Sequence, residues 1–176
     1  MRKRLNAELD RLNPDSYSQA ERPKVWVILE NLRSAHNVGS MFRTGDAFGV
    51  TGISLCGYCA RPPHVQVDKV ALGAEQHVPW LGFDDALQAI THAKDEGYRV
   101  LAVEQAEEAV MLHDLEVPSE GLALVFGNEV EGVSNEAMAL CDGAVEIPQF
   151  GVKHSLNVSV SAGSVLWQVA KTSRQL

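Results

Sequence analysis

The chain has 176 residues, of which 45% are hydrophobic and 22% charged, with a formal net charge of −8 at pH 7. That composition rules out a disordered, collagen-like or coiled-coil chain, and the length suits one compact domain with at most a short appendage. Taken whole, the acidity argues against nucleic acid as a partner. The charge is uneven, however: net +2 over residues 1–50, −13 over 51–150 and +3 over 151–176. A binding face can differ from the surface average.

The basic start, Met1-Arg2-Lys3-Arg4, leads into no apolar core, so a secretory leader is not expected. No run approaches the roughly 18 apolar residues of a membrane span. Three cysteines, an odd number, do not suggest a disulfide framework, and a cytoplasmic location is the expectation. Residues 1–18 read as a short amphipathic helix with Leu5, Leu9 and Leu12 at helical spacing, ending near Pro14. The division expected is an N-terminal helical extension over 1–20 and one domain over 21–176.

From there, apolar runs alternate with helical patterns. Strands are expected at Val25–Leu29, Gly52–Cys56, Tyr98–Val103, Leu122–Phe126 and Ala144–Ile147. Helices are expected at Val38–Phe48, Val67–Gly73, Asp84–Glu96, Asn135–Leu140 and Val158–Lys171. Short, unalternating apolar strands separated by helices imply an α/β fold: a mostly parallel sheet with helices on both faces. Ligands in such folds bind beyond the C-terminal strand ends. Polar or Gly-rich loops collect there: Glu30–Gly39, Glu104–Ala106, Gly127–Gly132 and Pro148–Asn157.

Common cofactor signatures are missing. No two of the fourteen glycines stand two apart, which removes the Gly-x-Gly dinucleotide turn. There is no Gly-Lys-Ser/Thr P-loop, no Gly-x-Ser-x-Gly elbow and no His-x-x-x-His or acidic cluster for a metal. Cys56 and Cys59 form a lone Cys-x-x-Cys, best read as half-buried cysteines.

Three ordered segments carry a resemblance. The first runs Asn37-Val38-Gly39-Ser40-Met41-Phe42-Arg43 through Phe48-Gly49, the second Phe126-Gly127-Asn128-Glu129-Val130-Glu131-Gly132, and the third Ile147-Pro148-Gln149 through Ser155-Leu156-Asn157-Val158-Ser159. Together they resemble the SpoU (TrmH-like) RNA ribose 2'-O-methyltransferases of the SPOUT class, over the span from about Val25 to the end. Gly45 departs from the alanine that many members carry. The resemblance implies a C-terminal trefoil knot, bound S-adenosylmethionine, an RNA partner (tRNA, with guanosine favoured, or rRNA), no metal, and a homodimer that completes the site. The tRNA preference rests on Val103-Glu104-Gln105-Ala106 and Ile147-Pro148-Gln149.

The resemblance also implies roles. Arg43, Asn37, Glu129, Ser155 and Asn157 would be catalytic. Arg43 would clamp a phosphate and favour the 2'-oxyanion, since a guanidinium barely deprotonates; otherwise it is a surface arginine paired with Asp46. Asn37 would bind substrate or cap the helix after it, and Ser155 would place the hydroxyl or cap the last helix. Leu101, Val103, Glu104, Gly127, Asn128, Ile147, Gln149, Ser155 and Leu156 would hold the cofactor. Arg33 and Lys153 would meet RNA. Two alternatives stay open: a non-catalytic RNA-binding or assembly factor on the same fold, and a methyltransferase acting on a non-RNA substrate.

Overall fold

The computed structural model describes residues 1–9, 20 and 22–174. Among the described residues seven parallel strands form one sheet: β1 Val25–Glu30, β2 Gly52–Cys56, β3 Trp80–Phe83, β4 Arg99–Val103, β5 Val110–Met111, β6 Leu122–Phe126 and β7 Gly143–Glu146. Their order is β3-β2-β1-β6-β4-β7-β5, and every pairing is parallel. The helices are α1 Ala35–Phe48, α2 Val65–Ala71, α3 Ala86–Asp95, α4 Asn135–Leu140 and α5 Val158–Ser173.

The middle strands are buried along their length, as continuous apolar runs require when both sheet faces are covered. One face packs Val27, Leu29 and Leu124 against Val38, Phe42, Val165 and Leu166 of α1 and α5. The other packs Ile28, Ala123 and Val125 against Ala89, Ile90 and Ala137 of α3 and α4.

Two strands escape the sequence pattern. β3 is short, contains Gly82 and lies at the sheet edge, half-exposed. β5 has only two residues, both exposed, at the opposite edge. Neither carries the buried apolar run that marks a strand. Half of the expected N-terminal helix, residues 10–18, lies outside the described residues; in the described half, 1–9, only Asn6–Glu8 are helical, as a short 3-10 turn. Arg2 is paired with Glu8 there at 2.7 Å.

Helix starts also differ from expectation. α1 begins at Ser34, whose hydroxyl accepts from the Asn37 N–H at 3.3 Å, so Asn37 lies inside the helix rather than capping it. α5 is capped by Asn157, whose Oδ1 accepts from the Ser159 N–H at 2.9 Å; Ser155 is exposed and outside the helix. Among the described residues no helix is long and apolar enough to cross a membrane.

Candidate cofactor and RNA site

The loops after β4, β6 and β7 enclose a cavity of about 470 Å³ at the C-terminal edge of the sheet. Val103, Phe126, Val145, Ile147, Leu156 and Val158 supply an apolar wall. Glu104, Gln105, Asn128, Glu129, Gln149, His154, Ser155 and Asn157 supply a polar rim. A donor from Gln105 Nε2 to the His154 carbonyl, 2.9 Å, joins two of the loops. Leu101, expected on this wall, is 1% exposed in the strand core and does not reach it. Its position in mid-strand aims the side chain into the helix-packed face.

The loop after β6 is folded tightly on itself. Asn128 and Gly132 exchange backbone hydrogen bonds at 3.1 Å each, and Asn128 Oδ1 accepts from the Val130 and Glu131 N–H groups at 2.9 Å. The two glycines are required by this closure. A Cβ on Gly127 would fall 1.9 Å from the Gly132 carbonyl carbon, and one on Gly132, at φ 71, would fall 2.2 Å from a Glu104 oxygen. Glu104 itself is engaged with the protein: it accepts from the Val133 N–H at 3.1 Å and from the Gln105 N–H at 2.9 Å. It braces the loop from within the cavity lining.

One residue from each of the three motifs joins in a hydrogen-bonded chain. Asn157 Nδ2 donates to Asn37 Oδ1 at 3.4 Å, and Asn37 Nδ2 donates to Glu129 Oε1 at 2.7 Å. Glu129 also accepts from the Arg33 N–H at 3.1 Å and the Ser34 N–H at 3.4 Å. Partial burial pushes the Glu129 carboxyl up, but the hydrogen bonds from Asn37, Arg33 and Ser34 outweigh it and hold the group below its ordinary value. The starts of α1 and α5 and the β6 loop are thereby fixed together.

Arg43 is exposed on α1, outside the cavity wall, and makes no hydrogen bond or ion pair among the described residues. The alternative pairing with Asp46 is absent. Arg33 and Lys153 are exposed. Glu30 carries no motif signal, yet it is 5% exposed at the end of β1 and accepts from the Ser134 N–H at 3.0 Å. An acid closing an otherwise apolar buried strand is the sign that marks it. No cluster of His, Cys, Asp and Glu among the described residues could hold a metal.

The model of the SpoU rRNA Methylase family matches residues 24–167. A "Putative TrmH family tRNA/rRNA methyltransferase" of Staphylococcus haemolyticus is 33% identical over 166 residues, covering 92% of this chain and 66% of its own. The tRNA (guanosine(18)-2'-O)-methyltransferase of Thermus thermophilus is 32% identical over 171 residues, covering 97% of this chain and 86% of its own. Among solved structures, the AdoMet-bound rRNA methyltransferase from Sinorhizobium meliloti superposes with a TM-score of 0.80 at 27% identity, over 89% of this chain and 58% of that one. The chain thus spans just under two thirds of the Staphylococcus relative and less of the Sinorhizobium protein. With the family model spanning all three motifs and the strands that carry them, the chain belongs to the SpoU rRNA methylase family.

Proposed function

We propose that this chain is an S-adenosylmethionine-dependent RNA 2'-O-methyltransferase, acting on a ribose of tRNA, with guanosine favoured, or of rRNA. The observation that carries this reading is the hydrogen-bonded chain Asn157–Asn37–Glu129, which draws the three family motifs to the rim of one cavity. The tRNA preference is supported by the Thermus relative, named for a guanosine 2'-O activity.

The cavity fits the cofactor. About 470 Å³ lies within the range of roughly 300–1,000 Å³ for small-molecule sites, and an apolar wall with a polar rim suits an adenine ring joined to a zwitterionic tail. Val103, Ile147 and Leu156 would hold the ring, with Gly127, Asn128, Gln149 and Ser155 around it. The bound group supplies a methyl on a sulfonium. Arg43 holds a phosphate through its guanidinium and favours charge building on the 2'-oxygen. Glu129, Asn37 and Asn157 keep the loops and helix ends in register, so that the hydroxyl is oriented along the line of attack. Arg33 and Lys153 meet the RNA backbone.

The reading includes a C-terminal trefoil knot, a cytoplasmic location, an N-terminal extension over residues 1–20 ahead of the methyltransferase domain, and a homodimer. The dimer is supported by Arg43, which lies outside the cavity of its own chain, and by exposed Phe150, Val160 and Trp167 on or beside α5. The acidic span 51–150 leaves room for a non-RNA substrate, while the retained Arg43, Glu129, Ser155 and Asn157 speak against a non-catalytic role. Labelled cofactor incubated with bulk tRNA or rRNA, followed by nucleoside mass spectrometry, tests the proposal. A 2'-O-methylated nucleoside is expected. Its absence from every RNA, with folded protein that binds cofactor, overturns the reading.

A further inference from the structure

The turn after β2 presents an aromatic ring that the core does not use. Tyr58 is 57% exposed between two buried cysteines, Cys56 and Cys59. The turn that carries the ring is tied to β1 and the loop after it at four points. The Asn31 N–H donates to the Cys56 carbonyl at 3.3 Å, and the Tyr58 N–H to Asn31 Oδ1 at 3.4 Å. The Leu32 N–H donates to Cys59 Sγ at 3.1 Å, and the Cys59 thiol to the Leu29 carbonyl at 3.3 Å. Burial pushes the Cys59 thiol up, so it stays protonated and keeps that donor.

Two left-handed residues make the stitching possible. Asn31 has φ 53 and Gly57 has φ 62, and a Cβ on Gly57 would fall 2.0 Å from Asn31 Oδ1. Asparagine and glycine are the residues that tolerate this region, and unusual backbone of this kind gathers at functional sites. A ring left in water contributes little to the core, so the rigid mount calls for another use.

The mount adjoins the site. Arg33, on the same loop, gives its N–H to Glu129, which lines the cavity. The Tyr58 side chain lies near enough to the Arg33 guanidinium to be the first cause that raises it above its ordinary value, with Glu131 and Glu129 adding to the shift. An exposed aromatic ring with an arginine on the neighbouring loop is a combination that proteins use to receive an unstacked RNA base.

We propose that Tyr58, with Arg33 beside it, is a stacking platform for a base of the substrate RNA next to the methylated nucleotide. The proposal rests on the RNA reading above and deepens it. Cys59 acquires a role as well: a buried thiol that anchors the turn.

The test compares the full chain with Tyr58→Ala and Tyr58→Phe on the tRNA or rRNA fraction that the unaltered protein methylates. Loss of one base–aromatic stack should raise the RNA KM of Tyr58→Ala about tenfold, with kcat and cofactor affinity unchanged, and Tyr58→Phe should restore it. Ultraviolet crosslinking of the unaltered protein to the same RNA should leave a nucleotide on the peptide containing Tyr58. An unchanged KM in Tyr58→Ala, a loss of cofactor affinity in that variant, or crosslinks that form only elsewhere would each overturn the platform. If the unaltered protein neither binds nor methylates RNA, the parent reading fails and the platform with it. An active protein indifferent to Tyr58 sinks the platform alone.

Discussion

Glu129 illustrates how a single side chain can serve a site without touching the reacting atoms. Its carboxylate collects the Asn37 amide and two backbone N–H groups from the start of the α1 region. The folded group titrates below its usual value of 4.5. Ionised Glu129 therefore stabilises the folded state at and above that value, and the contribution is lost as pH falls through the folded value. In Glu129→Gln this acid sensitivity should shrink. Thermal unfolding followed from neutral pH to about pH 3 checks it: the unaltered protein should lose more stability than the variant across the acid end, and identical acid slopes would contradict the role. The motifs in the sequence named Asn37, Glu129 and Asn157, but not their bonding. The partners lie 92 and 120 positions apart, beyond the reach of any local pattern. Glu104 was equally ambiguous, because an acid at a strand end reads the same whether it faces a ligand or a neighbouring loop's amides.

The regular elements were more readable, because each rests on local chemistry. Buried parallel strands show as unbroken apolar runs, and the five central strand segments lie within a residue of expectation at either end. The edge strands β3 and β5 failed to show for the converse reason, since little of either is buried. Cap assignment went astray at α1 because Ser34 and Asn37 are both good caps and only one can precede the first turn. Gly39 is a sharper case. It lies on α1 where α2 crosses, and a Cβ there would fall 2.7 Å from the Val67 carbonyl oxygen and 2.8 Å from Val70 Cβ. In a free helix Gly39→Ala would gain about 1 kcal/mol. Here the added methyl meets backbone, and overpacking costs about 1–3 kcal/mol. A net loss of stability is expected in Gly39→Ala by urea unfolding, with RNA methylation reduced because α1 also carries Arg43; a more stable variant would show that α1 and α2 can part freely.

For the molecule as a whole, net charge misleads. The −8 arises from residues 51–150, while Arg33, Arg43 and Lys153 come from the two basic ends. Arg43 and Lys153 are exposed and without an ion pair among the described residues. If these groups meet phosphates, RNA affinity should fall steeply with salt, with a log–log slope of about −0.7 to −0.9 per contact. Replacing Lys153 by alanine should reduce that slope by about one contact's worth. Fluorescence anisotropy across a salt series measures it, and binding that ignores salt would contradict a phosphate-reading face. The most direct measurement follows the label from the cofactor's methyl group into RNA and then hydrolyses the RNA in alkali, which needs a free 2'-hydroxyl to cut the chain. Methyl transfer to the ribose leaves the label in alkali-resistant dinucleotides, and Arg43→Ala should abolish that product while keeping its fold. Label released in mononucleotides, or an Arg43→Ala variant as active as the unaltered protein, would contradict the account.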